Sequence, residues 1–173
     1  ISIQEIPDIT ISGGTLSISQ AGNENTYIGV LHSEKTYGAF DIQVDFSDYA
    51  NAEGSHTVTA GLGFWIDDDN YAFIQRQDYN GQARWHARMC VDGTISYGPY
   101  ADATGTASGK LRLVRKGQTI SGYYYGSSEW TLLASFSGFS PKGGYPRLYT
   151  YTNHTSASVS CKFDNYVHRE SYE

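Results

Sequence analysis

The sequence predicts an all-β chain folded as two antiparallel sheets packed face to face. Three observations carry that prediction. Apolar residues recur at every second position in run after run, the pattern of a strand with one face buried. Gly, Asn, Asp and Ser clusters punctuate these runs at the spacing of a sandwich or barrel, and no amphipathic helical pattern intervenes. Nineteen glycines and fifteen tyrosines against a single Met describe a chain rich in strands and turns and poor in helix formers.

The elements are taken in chain order. "ISIQEIPDITIS" is apolar at Ile1, Ile3, Ile6, Ile9 and Ile11 and reads as an extended strand or arm over residues 1–12. "GTLSIS" (14–19) sets Leu16 and Ile18 against hydroxyl residues, and "AFDIQVDF" (39–46) sets Phe40, Ile42, Val44 and Phe46 against Asp and Gln. Along 58–66, Val58, Ala60, Leu62, Phe64 and Ile66 share the inner face, so Thr59, Gly61, Gly63 and Trp65 take the outer one and Trp65 is displayed. Asp67-Asp68-Asp69-Asn70 is a turn, returning as a strand over 71–77. In 82–91, Trp85, Ala87 and Met89 face inward while Arg84, His86 and Arg88 face outward, and Asp92-Gly93 turns the chain tightly into 94–97. A loop over 98–108 precedes two strands within 110–125. A second loop, 137–146, leads to strands over 147–151 and 156–167.

With 173 residues the chain can bury one substantial core and is too short for two ordinary domains, so a single domain over 1–173 is expected. A formal charge of −6 and a pI near 5.3 argue against nucleic acid, whose binding rests on an excess of Lys and Arg. No apolar run approaches the roughly 18–20 residues needed to cross a bilayer, so no membrane insertion is expected. The sequence opens without Met or a signal segment, as a mature secreted protein or a piece of a larger one would. Cys90 and Cys161 are far apart in sequence and belong to no CxxC motif. Alternation turns Cys90 outward and Cys161 inward, which disfavours a disulfide between them.

"YGAFDIQVDF" (37–46), "AGLGFWIDDDNYAFIQ" (60–75), "KLRLVRKGQTISGYYYGSSEWTLLASF" (110–136) and "PRLYTYTN…SVSCKFDNYV" (146–167) occur in an order that resembles concanavalin A-like jelly rolls of the laminin G-like kind. The nearest likeness is to the accessory domains of secreted bacterial glycoside hydrolases, such as the C-terminal domain of β-xylosidases. The resemblance implies a jelly roll in which Gly117 and Gly126 permit tight reversals and Trp130 packs against a sheet. It also implies an extracellular or secreted setting and, as a possible cofactor, a structural calcium held by Asp164.

Hydrolases on this fold carry alternating acidic residues on one strand, because acid and nucleophile must enter one groove at a fixed separation. No such E-x-D-x-x-E run exists here. "IQRQ" and "WHARM" are loose echoes of the lyases on the same fold, leaving His86 as a conceivable base with a tyrosine as acid. Asp67, Asp68 and Asp69 are adjacent, so their side chains diverge and suit a turn better than an ion. Asn153-His154-Thr155 is a glycosylation sequon that chance explains equally well.

Saccharide binding asks for exposed rings to stack on sugar faces and for planar polar groups beside them. Trp65, Gln75, Gln77, Arg84, His86, Arg88, Arg147, Tyr149 and Tyr151 are expected on one open sheet face, with Trp65 or the Tyr149/Tyr151 pair as stacking surface. The competing explanation is that tyrosines simply favour strands and cover the edges of the core. The expected function is a non-catalytic carbohydrate-binding module or lectin-like domain for a polysaccharide or glycan. Two alternatives stand beside it: a structural subunit of a fibre or surface layer, self-assembling through the N-terminal strand, and a polysaccharide lyase or glycoside hydrolase. A parent enzyme is a further possible partner.

Overall fold

The computed structural model describes residues 8–21, 26–51, 57–126, 128–154 and 156–171. Among them there are fourteen strands and no helix. The first seven are β1 (Asp8–Ser12), β2 (Thr15–Gln20), β3 (Thr26–Leu31), β4 (Ala39–Asn51), β5 (Val58–Asp67), β6 (Asn70–Tyr79) and β7 (Gln82–Val91). The rest are β8 (Thr94–Tyr97), β9 (Ala101–Asp102), β10 (Gly109–Lys116), β11 (Thr119–Tyr125), β12 (Trp130–Phe136), β13 (Tyr145–Thr152) and β14 (Val159–Ser171). The first sheet runs β1-β2-β14-β4-β10-β11-β12. The second runs β3-β13-β5-β6-β7-β8, with β9 pairing on β7. All pairings are antiparallel. The chain is therefore the two-sheet sandwich its alternation predicts.

The inner faces supply one core. Ile42 and Val44 of β4 and Leu111 and Leu113 of β10 meet Leu62 and Phe64 of β5 and Ile74 of β6, all of them buried. Phe40 lies 4.6 Å from Phe64 between ring centroids, and Phe46 meets Trp85 edge-on at 5.9 Å, so aromatic pairs bridge the sheets. Each fully buried side chain of this size contributes about 1.5–3 kcal/mol over leaving it exposed. The same alternation that sends Trp85, Ala87 and Met89 into this core sends Arg84, His86 and Arg88 to the outer face of the second sheet.

Asn80-Gly81 and Asp92-Gly93, with both residues of each pair at positive φ, close the two-residue hairpins β6–β7 and β7–β8. They fix the register that sets Gln75 opposite His86 and Arg88 opposite Tyr97. Strand β3 lies where the alternation had placed no element, and β13 begins at Tyr145, inside the expected loop. Residues 1–7 of the expected N-terminal arm lie outside the described residues. Strand β1, the remainder of that arm, pairs in the same chain with β2 at the edge of the first sheet and leaves Ile9 and Ile11 exposed. Both cysteines are buried free thiols, Cys161 in the main core and Cys90 on the outer side of the second sheet.

Candidate functional site: a cleft on the outer face of the second sheet

Ladder register gathers the expected residues on one face. From β3 across to β8, its rows read Tyr27–Tyr151–Thr59–Gln77–Arg84 and Gly29–Tyr149–Gly61–Gln75–His86, and then Leu31–Arg147–Gly63–Phe73–Arg88–Tyr97. Trp65 and Tyr71 form the next row. Six of the nine expected residues, Gln75, Gln77, Arg84, His86, Arg88 and Tyr151, line a cleft of about 480 Å³ with Tyr27, Phe73, Tyr79, Tyr97 and Tyr100.

Depth differs from the expectation: Gln75, Gln77 and His86 are buried in the cleft floor, and the other three stand apart from the cleft. Tyr149 is 0% exposed, so it offers no ring to a sugar. Its neighbours in the ladder, Gly29 and Gly61, have no side chains to hold it away. A Cβ at Gly61 would stand 2.6 Å from the phenol ring, so the ring lies flat across β5 only because that position is glycine. Tyr27 and Phe73 then close over it edge-on. Trp65 is half-buried rather than displayed, because its indole is engaged from both neighbouring strands. Tyr71 of β6 stacks on it at 4.4 Å with planes 6° apart, and the Arg147 guanidinium of β13 sits 5.2 Å from its centroid. Arg147 also donates to the backbone oxygen of Tyr27 and lies outside the cleft.

A hydrogen-bond relay runs under the cleft floor. The Tyr149 hydroxyl donates to Gln75 Oε1 at 2.7 Å, which directs the Gln75 amide nitrogen at His86 Nδ1, 3.0 Å away. Nδ1 is therefore an acceptor, and the imidazole carries its proton on Nε2. Burial first, then the positive charges of Arg84 and Arg88, lowers the His86 pKa to about 3, so the ring is neutral at physiological pH. Arg84 is held between the Tyr79 and Tyr100 rings, at 4.1 and 3.8 Å from their centroids, and its Nε donates to Gln77 Oε1 at 2.8 Å. Arg88 lies over Phe73 at 4.5 Å and donates through Nη2 to the Tyr27 hydroxyl at 2.9 Å.

Among the described residues, five buried side-chain polar atoms have no hydrogen-bond partner. Four of them, Thr59 Oγ1, His86 Nε2, Arg88 Nε and Arg147 Nε, belong to this one face. A buried polar atom left without a partner costs about 1–3 kcal/mol, and two of the four, His86 Nε2 and Arg88 Nε, belong to residues that line the cleft.

Asp164, the expected calcium ligand, lies on the other sheet, where it accepts from Thr15 Oγ1 and the Asn165 amide. Asp45, opposite it, is held by Lys110 and Asn165. Among the described residues, no three His, Cys, Asp or Glu side chains gather to hold a metal. Asp67 closes its turn by accepting from the Asp69 amide and the Asn70 side chain. Thr155 of the sequon lies outside the described residues.

The site contains residues the sequence argument passed over. Tyr97 could be found by counting back through the two-residue Asp92-Gly93 turn, and Phe73 by alternation with Gln75. Tyr27 required recognising "TYIGVL" as a strand. Tyr100 is brought in by the loop before β9, and no local pattern announces it.

No protein-family model and no curated protein matches the chain. Solved structures do. A functionally unknown protein from Saccharomyces cerevisiae superposes with a TM-score of 0.78 at 14% identity, over 99% of this chain and 96% of that one. The carbohydrate-binding module CBM66 from Bacillus subtilis superposes with 0.66 at 12% identity, over 95% and 92%. A legume lectin-like domain from Entamoeba histolytica gives 0.65 at 11% identity, over 96% and 88%. Glycosidases also match, the chain spanning 33% of a GH43 protein from Bacillus licheniformis. The fold is a concanavalin A-like jelly roll, as the sequence resemblance implied. At these identities the likeness concerns the fold, and function has to be argued from the cleft.

Proposed function

We propose that this protein is a non-catalytic carbohydrate-binding module or lectin-like domain, acting in an extracellular or secreted setting and holding a glycan chain in the cleft of its second sheet. The observation that carries this reading is the meeting of unpartnered buried polar atoms with exposed rings on one face. Tyr79, Tyr97 and Tyr100 are exposed at the cleft and offer ring faces for stacking against sugar C–H groups, while Arg84, Arg88 and His86 offer hydrogen bonds beside them. The names of the module and the lectin-like domain among the structural neighbours support the same reading.

The chemistry of the cleft supports binding without bond cleavage. Glycoside hydrolysis uses a pair of carboxyl groups flanking the scissile bond, and no carboxylate is among the described lining residues. Proton abstraction by His86 needs a free ring lone pair, and the one at Nδ1 is already taken by Gln75. The test is a glycan array coupled to titration calorimetry with Tyr97→Ala and Tyr100→Ala. Each change should weaken binding by roughly 5–150-fold, the usual value of a stacked ring converted to affinity. Binding untouched by both would place the site elsewhere. New reducing ends, or ultraviolet-absorbing unsaturated sugars, released from a polysaccharide panel would refute the non-catalytic role.

A further inference from the structure

Four cations elsewhere in this protein sit against carboxylates. Arg76 pairs with Asp78 at 2.9 Å, Arg112 with Asp41 at 2.6 Å, Lys110 with Asp45 at 3.0 Å and Lys162 with Asp48 at 2.7 Å. The outer face of the second sheet gathers three guanidinium groups that lack such a partner, as Arg115 on the first sheet also does. Arg84, Arg88 and Arg147 make no ion pair with any described carboxylate, although the chain carries a formal charge of −6. Asp68 acts on Arg147 only from beyond ion-pair distance. The partners these guanidinium groups do have are phenol rings, a tyrosine hydroxyl, a glutamine carbonyl and a backbone carbonyl.

The hydrogen-bond polarity points the same way. The three unpartnered nitrogens, on His86, Arg88 and Arg147, are all donors, the imidazole because its Nδ1 is occupied. Gln75 Oε1 is taken by Tyr149 and Gln77 Oε1 by Arg84, and no carboxylate is among the described residues that line the cleft. The acceptors left are hydroxyl oxygens, Thr59 Oγ1 and the cleft tyrosines, which carry a proton as well. A sugar hydroxyl brings a proton that must itself find an acceptor, whereas a carboxylate only accepts, and its two oxygens match the edge of a guanidinium group.

We infer, building on the glycan-binding reading above, that the sugar chain recognised here is acidic: a uronic-acid residue places its carboxylate against Arg88, with Arg84 and the His86 N–H beside it. Tyr97 and Tyr100 then flank the ring that bears the carboxylate. A negatively charged protein thus binds a negatively charged polymer through a local positive field, so affinity falls as salt screens it.

The experiment is calorimetric titration of the full chain with oligomers of polygalacturonate, alginate and hyaluronan. Each is compared with its carboxyl-reduced counterpart and with sulfated but uronate-free galactans. At least one uronate oligomer should bind, and its carboxyl-reduced form should bind at least about 10-fold more weakly, the usual share of a charge-assisted hydrogen bond. Arg88→Gln, checked for folding by circular dichroism, should cause a similar loss. The reduction arm uses the unaltered protein, so it decides the matter even if the variant fails to fold. Equal binding of acid and reduced forms would overturn the acidic-ligand inference and leave the glycan reading standing, as would binding of neutral sugars alone. Binding of sulfated galactans without uronates would also overturn it. Silence across acidic and neutral glycans alike would overturn the glycan reading itself.

Discussion

Acidification from pH 6.5 toward pH 3 should remove from this protein a share of stability that belongs to His86. In the unfolded chain its imidazole takes up a proton near the ordinary value of 6.5. In the fold, burial and then the neighbouring Arg84 and Arg88 hold the pKa to about 3. Between these two values the unfolded state carries a proton that the folded state refuses. The contribution is therefore fully present above the unfolded value and drains away as pH falls toward the folded one. Each pH unit within that window is worth about 1.4 kcal/mol, giving a ceiling on the order of 4–5 kcal/mol, a large part of a typical domain's stability. Urea unfolding monitored by tryptophan fluorescence from pH 7 to pH 4 should show the wild type losing about 1.4 kcal/mol per unit more than His86→Gln. The comparison cancels groups common to both proteins. Among them are His168, held low by burial and by His32, and Asp41, whose burial is outweighed by its bond to Arg112. Equal pH slopes in the two proteins would show that His86 is not held neutral by its surroundings, and the assignment of its Nδ1 as an acceptor would go with it.

The same geometry makes three further outcomes testable. Tyr149→Phe removes the donor to Gln75 Oε1 in a wholly enclosed place and should cost about 1–3 kcal/mol in thermal or urea unfolding, with glycan affinity falling as the relay beneath His86 loosens. Gly61→Val drives a side chain into the Tyr149 ring and should destabilise by about 1–3 kcal/mol, visible as a lower Tm and a changed near-ultraviolet aromatic signal. Cys90 and Cys161 are buried and unlinked, and burial pushes the Cys161 thiol up, so a chromogenic disulfide reagent should find neither in the native protein and both after denaturation.

Alternation is a statement about faces, and faces are what it delivered. Arg84, His86 and Arg88 lie outward because Trp85, Ala87 and Met89 lie inward, and the same parity brings Gln75 and Gln77 to their side. Depth is a different quantity, set by what closes over a residue from neighbouring strands. Tyr149 has the parity of a displayed ring, yet Gly29 and Gly61 let it sink and Tyr27 covers it. Trp65 has the same parity and is engaged by Tyr71 and Arg147. Such burial depends on which strands become neighbours, β3 beside β13 and β13 beside β5, and pairs this remote in sequence leave no local signal. Tyr100 is the extreme case, since it reaches the cleft through a loop.

The two faces of β5, β6 and β7 divide the labour of the molecule, and Tyr149 is where that division fails. Inward residues such as Leu62, Ile74 and Ala87 join the sheets through a dry core, so changing them alters stability and leaves the cleft chemistry alone. Outward residues at the cleft mouth, Tyr97 and Tyr100, are largely solvent-exposed, so on the proposed function their loss should bear on ligand far more than on the fold. Tyr149 points outward but is sealed beneath the outer layer with Phe73 and Cys90, a second small core on what would ordinarily be a solvated face. Its hydroxyl fixes the Gln75 amide, the amide fixes the His86 tautomer, and the tautomer decides that the cleft presents a donor at that point. Polarity at the proposed ligand surface is thus set by a residue sealed away from it, and loss of one buried hydroxyl would change both how firmly the sheet holds and, on the glycan-binding proposal, which chemical groups it prefers.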